Sequence, residues 1–142
     1  MKLKHLIEGY NSNGIPAKIE KEIEDKKEKA GVIKFNNNIN MSYLLDNEGF
    51  VIAINLFANC ITKDKTINKQ LEHTIEVLNI IQKTIEILAN TKQEEANNIL
   101  RKLGIFSREI ETKSVRFIDH IYKIEIVNSL LLFSIILEEA EK

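Results

Sequence analysis

Cysteine occurs once in these 142 residues, proline once, and tryptophan not at all. A single thiol, Cys60, excludes an intrachain disulfide and gives no sign of an oxidising compartment. The five glycines, at 9, 14, 31, 49 and 104, form neither GxGxxG nor a P-loop, which removes the phosphate cradles built from those turns. Serine-hydrolase and kinase signatures are missing as well. Neither charge dominates: 20 Lys and Arg face 21 Asp and Glu, a net −1. That balance provides no field for nucleic acid or an anionic membrane. Long apolar runs are absent too. The longest, 130–137, is broken by Ser134 and is far too short to span a bilayer. Met1–Tyr10 has a basic start without the apolar run or small-residue cleavage site of a signal peptide. These absences point to a reduced, soluble, cytoplasmic protein with no membrane partner and no cofactor.

What is present is the composition of a folded chain, 44% hydrophobic and 29% charged, of a length that suits one domain over 1–142. Leu3, Leu6, Ile7 and Tyr10 recur at i, i+3, i+4 and i+7, which predicts a short N-terminal amphipathic helix. Asn11–Gly14 ends it. A second short helix is expected over Ala17–Ala30, with Pro16 at its start, Ile19 and Ile23 on one side, and Gly31 as its stop.

The period then changes from 3.6 to 2. Val32–Phe35, Ile39–Leu45 and Phe50–Ile61 read as a three-stranded antiparallel meander, with a tight turn at Asp46–Gly49. The third strand is apolar on both faces, the mark of a central strand. A long central helix follows over Lys65–Asn90, capped by Asp64. Ile67, Leu71, Ile75, Leu78, Ile81, Ile85 and Leu88 form one stripe along it, and Val77, Ile80 and Ile87 form a second. Together they cover roughly 240° of its girth, about twice what one packed face requires.

Thr91–Glu94 matches a capping box opening a shorter helix, with Ala96, Ile99, Leu100 and Leu103 inward and Gly104 at its end. Tyr122–Ile126 and Leu130–Leu137, joined at Asn128-Ser129, form a C-terminal antiparallel unit of two strands, or three if 111–118 pairs as well. The fold class is therefore α+β. Helix followed by meander, occurring twice, hints at an internal repeat too faint to align. No family motif is present. In its order of helix, three-stranded meander, helix and strand pair alone, the chain resembles dimeric secretion-chaperone folds, without the terminal helix such folds usually have.

Chemistry-bearing residues are sparse. His5 stands alone. His73 and Glu76, at i and i+3, form one half of a helical carboxylate-histidine metal motif, and its repeat is missing. Asp119 and His120 are neighbours that a strand would point to opposite faces. Cys60 shares the parity of Ile54, Leu56 and Ala58, the pattern of a buried, inert thiol. No metal site and no catalytic set follow from these residues. The three arginines, Arg101, Arg108 and Arg116, fall within sixteen residues, with Lys102 and Lys113 nearby. They read either as ordinary solvated cations or as a contact patch for an acidic partner or a phosphorylated ligand.

The expected function is a non-enzymatic intracellular protein-binding domain, of adaptor, chaperone, immunity or inhibitor type. Surplus apolar surface on the long helix makes it a homodimer, with Val77, Ile80 and Ile87 at the interface. Burying that stripe would contribute on the order of 10 kcal/mol before association costs. The alternative is a small-ligand-binding protein for an anionic or phosphorylated molecule held by Arg101, Arg108 and Arg116.

Overall fold

A computed structural model describes residues 1–24, 29–60, 66–105, 113–117 and 120–137. The chain runs α1 (Leu3–Ser12), β1 (Lys18–Glu24), β2 (Lys29–Lys34), β3 (Ile39–Leu45), β4 (Val51–Asn59), α2 (Ile67–Ala89), α3 (Gln93–Lys102), β5 (Lys113–Phe117), β6 (His120–Val127) and β7 (Leu130–Leu137). It is an α+β fold. The strands form one antiparallel sheet of seven in the order β1-β2-β3-β4-β7-β6-β5. Two meanders thus meet along β4 and β7, the two strands that are apolar on both faces.

Turn chemistry fixes the meanders. Asp46 Oδ1 accepts the backbone N–H groups of Glu48 and Phe50, each at 2.9 Å, and Gly49 supplies φ +86°. Asn128 and Ser129 both adopt positive φ, 50° and 65°, which matches the right-handed twist of the β6–β7 hairpin. Asn90, at φ 51°, terminates α2 in the left-handed conformation.

The expected helix at Ala17–Ala30 is instead strand β1 and the start of β2. Four-residue spacing of Ile19 and Ile23 is one helical turn but equally two strand repeats, so the pattern could not choose. Pairing chooses: β2 as a strand buries Ile33 and hydrogen-bonds to β3, whereas a helix with two isoleucines buries little. Gly31 is accordingly no helix stop. It sits opposite Tyr43, whose ring lies across the space a side chain would fill. The capping box at Thr91 is not formed either. Lys92 is the N-cap of α3 without a side-chain hydrogen bond, and the Thr91 N–H instead donates to the Glu86 carbonyl at 3.1 Å. With only 90–92 between the two helices, Thr91 belongs to the end of α2. Asp64 lies outside the described residues.

All three helices lie on one side of the sheet. Beneath them Ile33, Met41, Ile54, Leu56, Phe133, Ile135, Tyr122 and Ile124 are fully buried, against Leu6, Tyr10, Ile80, Ile81 and Ile85 of α1 and α2. Helix α1 crosses α2 at Gly9, where a Cβ would come within 3.0 Å of Ile87 Cδ1. Phe35 packs edge-on against Tyr10 at 5.0 Å between ring centroids. Ala96, Ile99 and Leu100 of α3 close the C-terminal half of α2, and Gly104 follows at φ 75°.

One polar pair is sealed in this core. Thr84 Oγ1 donates to the Ile80 carbonyl at 2.6 Å, so the Tyr10 hydroxyl, 2.5 Å away, is the donor to Thr84. Tyr122 is its opposite: a buried hydroxyl with no hydrogen-bond partner among the described residues. Burial pushes its phenol up to about 12 and that of Tyr10 higher still, so both are neutral in the native state.

Tyr10→Phe is expected to lower stability by about 1 kcal/mol, and Tyr122→Phe to leave it unchanged or raise it by up to about 1 kcal/mol. Urea unfolding measures both, and the reverse order would refute the assignment. Gly31→Ala would put its methyl into the Tyr43 hydroxyl and 2.5 Å from the Lys21 carbonyl oxygen. Because one obstacle is backbone, a loss of about 2 kcal/mol or more is expected in the same assay.

Candidate interaction surfaces

The helices leave the other side of the sheet open among the described residues. Partnered residues on adjacent strands share a face, so the register divides this face into rows. The first runs Ile23, Ala30, Leu44, Ala53, Ile136 and Ile121, an apolar belt over six strands that ends at Arg116 on β5. The next is polar apart from Val32: Lys21, Val32, Ser42, Asn55, Ser134, Lys123 and Ser114. Ser134 Oγ and Asn55 Oδ1 are hydrogen-bonded within it. The third runs Lys18, Lys34, Asn40, Phe57, Leu132 and Glu125.

Two belt residues keep about half of their surface, 54% for Ile23 and 50% for Ile136, and Ala30, Leu44, Ala53 and Ile121 are half-buried. Ile23 reaches this face through a bulge. The pairing slips between Ile19 and Lys21, so Ile19 points toward the helices with Ile33 while Ile23 points away with Ala30. A shallow depression of about 380 Å³ lies here, with Ile23, Val32, Leu44 and Asn55 among its walls.

A second uncovered surface lies on α2. The three turns of α3 cover its C-terminal half only, so Ile67, Leu71 and Ile75 retain 85%, 56% and 58% of their surface. This corrects the expected location of the surplus. Val77, beside Ala58 and Leu131, and Ile80 are buried, and Ile87 packs against α1 at Gly9. Val77 and Ile80 thus present no surface to a second copy, and Ile87 only part of its side chain. A helical wheel shows how wide the apolar arc is but not which part the neighbours cover.

Beside the exposed stripe is an apolar cleft of about 190 Å³ between α2 and the ends of β4, β6 and β7. Its walls include Cys60, His73, Val77, Leu78, Ile105 and Ile126. Polar anchors fix the helix over it. The His73 ring nitrogen Nε2 hydrogen-bonds to the Asn59 carbonyl, and Gln70 Nε2 donates to the Cys60 carbonyl at 2.5 Å. Glu76 accepts from Asn36 Nδ2 at 2.7 Å. His73 and Glu76 therefore each hold α2 to a different strand end, and they do not converge on one point. Among the described residues, no three His, Cys, Asp or Glu side chains gather as metal ligands. Cys60 is half-buried just past β4, and burial pushes its thiol pKa up, partly offset by a hydrogen bond from the Leu131 backbone. His5 is exposed on α1, and His120 is half-buried at the start of β6. Asp119 lies outside the described residues.

The arginine patch divides. Arg101, exposed on α3, donates to Asn98 Oδ1 at 3.1 Å on the helix side. Arg116 shares the open face with its strand partner Ile121, while Lys113 has the opposite parity, that of Val115 and Phe117. Arg108 lies outside the described residues. The sheet thus stands between Arg101 and Arg116. The open belt was missed in the sequence, although the double apolar parity of β4 and β7 was its signal.

No helix among the described residues is long and apolar enough to cross a membrane. Compared with known proteins, the chain matches no family model, no curated protein and no solved structure.

A thiol held protonated by burial reacts slowly. Cys60 is expected to be modified by an aromatic disulfide reagent at least about 10-fold more slowly than a small free thiol at pH 8, and to match it after unfolding in urea. Equal rates in the native protein would contradict the burial assigned to it.

Proposed function

We propose that this chain is a non-enzymatic, cytoplasmic protein-binding domain of adaptor, chaperone, immunity or inhibitor type that works as a homodimer. One observation carries the reading: an apolar belt crosses six strands of a sheet face that no described element covers. Exposed apolar residues joined in one stripe and rimmed by polar ones mark an interaction site. The stripe of Ile67, Leu71 and Ile75 on the opposite side adds a second such surface, so self-association through one leaves the other for a different protein. The polar groups beside the cleft are engaged in holding α2, which supports a binding role over a catalytic one. A small anionic ligand shared by Arg101 and Arg116 finds less support, because the sheet separates them.

Light scattering after size exclusion tests the reading. At micromolar concentration the mass is expected to be twice the 16.4 kDa of one chain. The urea midpoint should also rise with protein concentration, as mass action requires of a dimer. A 16.4 kDa species at every concentration, with a constant midpoint, would contradict it.

A further inference from the structure

We propose that the open sheet face packs against the same face of a second copy, with the two-fold axis running along β4. The inference rests on the homodimer reading above and specifies its geometry. Two sheets stacked face to face can be related only by an axis lying between them. In an order of seven strands β4 is the fourth, so an axis parallel to it places β4 on β4, β3 on β7, and β2 on β6.

Under that operation every row meets itself. In the apolar belt Ala53 faces its own copy, Leu44 faces the partner's Ile136, and Ala30 faces the partner's Ile121. In the polar row Asn55 meets Asn55, and Ser42 meets the partner's Ser134. In the third row Phe57 meets Phe57 on the axis, and Lys34 meets the partner's Glu125, twice by symmetry. Near the axis apolar thus meets apolar and Lys34 meets Glu125, while farther out Ile23 faces the partner's Arg116, Val32 the partner's Lys123 and Asn40 the partner's Leu132. An axis across the strands would instead lay Lys34 over Ala30 and Glu125 over Ile121, and would set Lys21 and Lys123 each against its own copy, like charge on like. Aligned sheets pack at about 30°, which shifts groups two strands from the axis by about 5 Å, within reach of a lysine and a glutamate.

The edges of the sheet do not compete. β1 carries Lys18, Lys21 and the bulge, and β5 is five residues long with Lys113 and Arg116, features that discourage strand addition. The face is also large enough. Seven strands span about 30 Å, and rows about 7 Å apart extend about 20 Å. That is about 600 Å² in projection, before corrugation, near the about 800 Å² per partner of a standard interface.

Charge exchange tests this geometry by sedimentation equilibrium, with circular dichroism reporting the fold. Lys34→Glu and Glu125→Lys are each expected to raise the dimer dissociation constant about 10-fold, and the double exchange to return it to within about 3-fold of the parent. Ile136→Lys, at a half-exposed position, should leave the fold intact and weaken the dimer at least about 100-fold. Leu71→Lys on the helix side should leave the dimer unchanged. A dimer indifferent to Lys34→Glu, Glu125→Lys and Ile136→Lys would overturn the face-to-face geometry while leaving homodimerisation intact. A dimer broken by Leu71→Lys alone would relocate it to α2. A parent chain that is monomeric at every concentration would overturn both the geometry and the homodimer reading.

Discussion

The pairing of β4 with β7 is the constraint on which the rest of this structure depends. It joins two meanders into one sheet and sets side by side the two strands with apolar residues at both parities. One parity, Ile54, Leu56, Ala58, Leu131, Phe133 and Ile135, forms the floor of the core. The other, Ala53, Phe57, Leu132 and Ile136, must emerge on the opposite face, because a strand cannot point successive side chains the same way. A connection from β4 to β5 through two helices puts both on one side. The open belt is therefore a consequence of topology and parity acting together.

Cover on the helix side is itself incomplete for a simple geometric reason. α2 has 23 residues and α3 has 10, so α3 shelters one half of the stripe that runs the length of α2. The sheltered half ends in Ile81, Ile85 and Leu88, and the unsheltered half begins at Ile67. Near that unsheltered end α2 is held through polar contacts, the His73 and Gln70 side chains bonding to carbonyls at the end of β4. Hydrogen bonds to backbone carbonyls position a helix without asking its outer face to be buried. That arrangement keeps Leu71 and Ile75 in water while the helix stays in place.

Much of the fold could be read from the residues. Period 3.6 over Ile67–Ala89, Asp46–Gly49 as a turn and Asn128-Ser129 as a hairpin loop each rest on local chemistry that tertiary packing did not override. The β1–β2 hairpin could not be read, because Ile19 and Ile23 fit both periods and a one-residue bulge, invisible in composition, turns them to opposite faces. The interface residues were misplaced for a related reason. Val77, Ile80 and Ile87 are as apolar as Ile67, Leu71 and Ile75, and only the length of α3 and the crossing at Gly9 decide which are covered. Arg101 and Arg116 are close in sequence but lie on opposite sides of the sheet, one on α3 and the other on the open face of β5. Sequence spacing carries direction within one element and loses it between elements.

The central claim is that the open sheet face is hidden in solution. Its most direct test is paramagnetic relaxation of isoleucine methyl resonances by a soluble, uncharged probe, followed as the protein is diluted. Ile121 and Ile136 are expected to be shielded as well as core methyls at high concentration and to become accessible on dilution, while Ile67 is relaxed throughout. Ile136 relaxed as strongly as Ile67 at every concentration would show that face bare to water and contradict the account.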